Sequence, residues 1–194
     1  MDSFEFFAHP WWVNLLFVVP FIAYATWRRE GIAVSSSTLT LSALFGAAFG
    51  FVEASVVLYL RAAIGLLPGY GGTLSDVASL SSGIYEQAQI LGELPRSLFV
   101  IDFVREAATM VMLVSVACIA AQTLRVRAAL FLWSFAVWDI FYYASLWTMV
   151  GWPASLTTPD ILFLIPVPWT SQVWFPLLVS VLSATAVVVT KKRT

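Results

Sequence analysis

Five apolar runs mark the chain, separated by two long and two short connections; they cover about 10–27, 39–60, 98–121, 128–150 and 171–190. Each approaches the roughly 20 residues that a helix needs to cross a hydrocarbon layer. Two shorter patterns lie between the runs. In "SDVASLSSGIYEQAQILGEL", Val77, Leu80, Ile84, Ala88 and Leu91 recur at three or four. That spacing predicts an amphipathic helix lying on the membrane surface, stopped by Pro95. In "GWPASLTTPDILFLIPVPW", Thr158-Pro159-Asp160 has the form of a helix start. Proline suits a first turn, and an acid suits the positive end of the helix dipole. The run Ile161–Ile165 is too short to span and meets Pro166 and Pro168. It predicts a re-entrant or interfacial turn of helix; a fifth span starting at Asp160 and broken at the prolines is the alternative. The expected fold is an all-α polytopic membrane bundle of about five transmembrane helices, forming a single domain over 1–194.

Composition agrees. Of the 194 residues 60% are hydrophobic and 11% charged, against about 45–50% and about 25% in soluble domains. No basic face and no phosphate-cradling loop point to nucleic acid. The single cysteine, Cys118, rules out an internal disulfide or a cysteine-based zinc site, and in its apolar run it reads as a small buried hydrophobe. The single histidine, His9, rules out metal sites built on two histidines and argues against a Ser-His-Asp relay. Its bland reading is a solvated interfacial residue; the sharper one is a ligand reaching down from the rim. The acidic start "MDSFEFFAHPWW" lacks the basic region of a secretory signal, so the first run reads as a retained span.

Charge flanking the runs sets an orientation. Arg28, Arg29, Arg125, Arg127, Lys191, Lys192 and Arg193 are seven of the ten basic residues, and five spans place all of them on one side. Positive loops face the cytoplasm, so the N-terminus is expected outside and the C-terminus inside. Trp11, Trp12, Trp152, Trp169 and Trp174 then fall at outer ends and Trp27 at an inner one, where aromatic belts account for most of them.

Five ionisable residues fall inside the expected spans: Glu53, Asp102, Arg105, Glu106 and Asp139. A charge at a helix centre costs about 2.5–3.5 kcal/mol on insertion scales, so such groups face protein, pair, or line a wet cavity. A rise of about 1.5 Å per residue puts Glu53 and Glu106 at one depth in the outer half, Asp102 about a turn higher and Asp139 near the midplane. Ser42, Gly46, Gly50 and Ala54 recur at four, a small-xxx-small ridge that lets helices approach closely. Glu53, seven residues from Gly46, projects from nearly the same side and so toward protein. Asp102 and Glu106 share a helix face, and Arg105 is within reach of Asp102. Tyr142 and Tyr143 follow Asp139 by three and four residues and offer phenol donors. Asn14 and Tyr59 are further candidates.

Four acids face one base, so some acids are protonated or a cation completes the site. Three readings stay open. The group locks helices together. It binds or relays a cation: a proton, an organic amine, or a metal held by Glu53, Glu106 and Asp139, whose oxygens suit hard cations or manganese. Or it performs acid/base chemistry on a lipid-soluble substrate. An accessory subunit of a larger membrane complex is the competing class. The sequence leaves any cofactor unknown; the partner expected is the lipid bilayer, joined by other membrane subunits under the competing class.

The blocks "FGFVEASVVLYLR", "REAATMVML", "WDIFYY" and "DILFLIPVPW" together resemble an uncharacterised family of multi-pass bacterial inner-membrane proteins. The resemblance implies that membrane and carries no activity. The same blocks hold Glu53, Arg105, Glu106, Asp139 and Asp160.

Overall fold

Where the apolar runs were expected, the chain is helical. The computed structural model describes residues 6–65 and 96–192. A 3-10 segment, Trp11–Phe17, leads into α1, Val18–Trp27. There follow α2 (Ser36–Gly65), α3 (Arg96–Ala120), α4 (Leu124–Val150), strands β1 (Pro159–Phe163) and β2 (Trp169–Gln172), and α5 (Trp174–Thr190). The amphipathic helix expected over 77–91 lies outside the described residues.

Local chemistry explains the boundaries. Ser35 Oγ accepts from the Thr38 N–H at 3.0 Å and caps α2. Thr123 caps α4, accepting from the Val126 N–H at 3.4 Å. Gly151 ends α4 with φ +71°, its N–H bonded to the Trp147 carbonyl at 2.8 Å. That left-handed residue is the usual glycine stop. Pro176 sits in the first turn of α5, where the missing N–H breaks no helical bond.

Three helical segments are long and apolar enough to cross a membrane: Ser36–Leu60, Phe99–Ala120 and Leu124–Val150. Trp11–Trp27 and Trp174–Thr190 are apolar but shorter. Large side chains such as Phe21, Leu41, Leu44, Val104 and Val111 are exposed, an apolar surface that suits lipid. Cys118 is exposed too, so the buried reading fails: its helix turns it outward.

The α2–α4 contact is the most extensive, followed by α4–α5, α3–α4 and α1–α5. Gly46 and Gly50 make the α2–α4 approach. A Cβ on Gly46 would meet the Ser134 carbonyl oxygen at 2.8 Å, and one on Gly50 the Trp138 carbonyl oxygen at 2.5 Å. Ser42, Glu53 and Ala54 are buried on the same ridge.

The segment after α4 departs from expectation. It holds no helical turn: β1 and β2 pair antiparallel, with Pro159 opposite Gln172 and Asp160 opposite Ser171. His9 adds a bridge to Thr170, N–H to carbonyl at 2.8 Å in both directions. Five apolar residues bounded by prolines are too few for a stable helix, and an antiparallel partner satisfies their backbone instead. Asp160 is therefore a strand residue, 1% exposed, and caps no helix. The belt reading fails for Trp152 and Trp27, which are buried, Trp152 packing beside Tyr143 and Leu146.

Candidate functional site

A cavity of about 370 Å³ lies among the helices and the hairpin. Its size falls in the range of small-molecule sites. The walls are mainly apolar, from residues such as Leu16, Val57, Met110, Phe135, Phe175 and Val179. Glu53 of α2, Asp102, Arg105, Glu106 and Thr109 of α3, and Asp139, Tyr142 and Tyr143 of α4 also line it. The hairpin closes one side with Ile161, Leu162, Phe163, Leu164 and Trp169.

Arg105 is the centre of the polar wall. Its Nε donates to Asp102 Oδ1 at 2.6 Å, and its Nη1 donates to Glu53 Oε2. Its Nη2 lies 3.9 Å from Glu106 Oε1. The Asp102–Arg105 contact is the i,i+3 pair expected on one helix face. Thr109 completes the Glu53 carboxylate, donating from Oγ1 to Oε1 at 2.8 Å. Glu106 has a different main partner: the Leu164 N–H at the end of β1 donates to its Oε2 at 2.7 Å. Three carboxylates thus surround one guanidinium, a formal charge of −2 if all are ionised.

On α4, Asp139 is 7% exposed and accepts from Ser180 Oγ of α5 at 2.8 Å. Among the described residues no basic side chain forms an ion pair with it. Tyr143 donates not to Asp139 but to Asp160 Oδ2 of β1, at 2.9 Å. Tyr142 stacks on Trp138, with ring centroids 6.2 Å apart.

Glu53, Asp102 and Glu106 are therefore gathered around the one guanidinium of Arg105, while Asp139, Tyr142 and Tyr143 line the same cavity from α4. The metal set of Glu53, Glu106 and Asp139 does not assemble: among the described residues no three acidic, histidine or cysteine side chains are grouped as metal ligands. The reason is local. Glu53 has one oxygen on Arg105 and the other on Thr109, and Asp139 is held by Ser180. Three peripheral candidates also fall away. Tyr59 is 69% exposed and points out of the bundle. Asn14 clamps its own chain, bonding Ala8 N–H and carbonyl at 3.0 and 2.8 Å. His9 contributes its backbone to the hairpin rather than a ring to the cavity.

Thr109, Ser180, Asp160 and the Leu164 N–H were not singled out from the sequence as partners of these groups. Thr109 carried a usable signal, being four residues beyond Arg105 and seven beyond Asp102 on one face. The chain matches no family model, no curated protein and no solved structure.

Proposed function

We propose that the chain binds a small cation within the membrane, in the cavity between the helices and the hairpin. In this reading the N-terminus is outside and the C-terminus cytoplasmic, in a bacterial inner membrane. One observation carries it: among the described residues, four carboxylates and a single guanidinium line a mainly apolar cavity. That guanidinium bonds Glu53 and Asp102 and only approaches Glu106. Among the described residues Asp139 has a hydroxyl partner alone. Negative charge in excess of its buried partners attracts protons or a cation. The basic residues Arg28, Arg125, Arg127 and Lys191 flank helix ends as the inward-positive bias requires. The sequence resemblance supports the bacterial inner membrane.

The test is binding by the whole chain in lipid nanodiscs, with organic ammonium ions and Mn²⁺ titrated calorimetrically against empty nanodiscs. A cation should bind, and Glu106→Gln and Asp139→Asn should each weaken it while the helical circular dichroism is unchanged. Saturation by no cation, or unaltered binding in both variants, would refute the reading. Orientation is read with a membrane-impermeant maleimide on a Cys118→Ser background. Thr157→Cys should label from outside intact cells and Arg28→Cys should not; the reverse pattern refutes the assigned topology.

A further inference from the structure

We infer that the cation is an organic monoamine with an apolar body, and that its ammonium group sits on Asp139. The inference rests on the cation-site reading above and narrows it. Its starting point is an asymmetry between two carboxylate groups in one cavity. Glu53 and Asp102 already have a guanidinium, so a second positive charge there would meet Arg105. Among the described residues Asp139 has no such neighbour. Its Oδ2 accepts from Ser180, while Oδ1 has no hydrogen-bond partner among the described residues. A carboxylate so buried, with one oxygen unmet and a cavity beside it, is an anchor for a donor carried by something else.

The surroundings select the donor. A metal ion takes six or more oxygen ligands as calcium, or near-ideal octahedral geometry as magnesium. Asp139 and Ser180 offer two side chains. A proton alone needs no cavity of about 370 Å³. An ammonium group needs one or two acceptors and gains from aromatic faces nearby. Trp138 and Tyr142 line the same cavity and stack on each other, which puts aromatic surface in the chamber. Val19, Phe135, Phe175 and Val179 give the rest of the guest an apolar wall to cover. A small inorganic cation would leave that wall empty, and an apolar neutral molecule would leave Asp139 unanswered.

The probe is 2-phenylethylamine, with 2-phenylethanol as its neutral isostere and Mn²⁺ as the metal, each titrated into the full chain in nanodiscs. The amine should bind at least about tenfold more tightly than the alcohol, the least that a buried charge pair contributes. Asp139→Asn should bring the amine to the alcohol's affinity, and Ser180→Ala should keep the amine preference. Equal affinities of amine and alcohol in the wild-type chain would overturn the inference without any variant having to fold. So would an amine preference that survives Asp139→Asn. If Mn²⁺ binds and is lost in Glu106→Gln while the amine does not bind, the cation site stands and this inference falls. If neither amine nor Mn²⁺ binds, both fall.

Discussion

Arg105 decides the polar wall at the level of single residues. Its guanidinium serves Asp102 and Glu53 at once and lies near Glu106. Removing it leaves several buried acids without a counter-charge, and breaking one partner out of a buried ion pair costs about 3–5 kcal/mol. Arg105→Gln should lower the thermal unfolding midpoint in detergent sharply. Arg105→Lys should recover only part of that loss, because a single ammonium cannot reproduce a planar fork. A midpoint unchanged in Arg105→Gln would mean the group is not structural. Tyr143→Phe probes a separate link. Losing its bond to Asp160, 2.9 Å and fully inside the protein, should destabilise by about 1–3 kcal/mol, since the acceptor stays buried. Denaturant titration would detect it. Much of this was legible: the spacing of Asp102 and Arg105 and the ridge beneath Glu53 follow from helical geometry alone. The partners of Asp139 and Asp160 were not, because Ser180 and Tyr143 reach them from other elements and no period links those positions.

Among the elements, α2 and α4 meet through the absence of side chains. Gly50→Ala puts a carbon 2.5 Å from the Trp138 carbonyl oxygen, with the Tyr142 nitrogen at 2.9 Å. Backbone atoms cannot step aside as a flexible side chain does, so the helices must separate, at a cost of about 1–3 kcal/mol. Gly151→Ala is the contrasting case. Nothing lies within 4 Å of its added carbon, but φ is +71°. Its cost is conformational, about 1–2 kcal/mol. Gly50→Ala should therefore also disturb the near-ultraviolet signal of Trp138 and Tyr142, while Gly151→Ala should leave it intact. Long helices were readable because twenty apolar residues admit few alternatives. The hairpin was not, since a short apolar run is the same string in a strand as in a helix turn. The clue was Pro166 and Pro168 in the connecting turn, which lack amide donors. Such a turn leaves fewer backbone groups to satisfy near lipid.

Taken whole, the molecule shows lipid-compatible flanks and a polar interior wall, the reverse of a soluble fold's usual plan. Val100, Ile101, Val104, Val111 and Val114 on α3 are all exposed, while Asp102, Glu106 and Thr109 of the same helix are buried. The chain should stay in the pellet after alkaline carbonate washing and enter solution only with detergent. Release by carbonate alone would contradict the bilayer assignment.

The strand pair has one more consequence, for traffic. It is a wall of the chamber, and the bonds that pin it include two backbone bonds to His9, one side-chain bond to Tyr143 and one to Glu106. A guest that comes or goes by pushing it aside breaks all four, at about 1 kcal/mol or more apiece. Exchange by that route is slow beside free diffusion, so a molecule captured in the cell should ride through solubilisation and chromatography with its host.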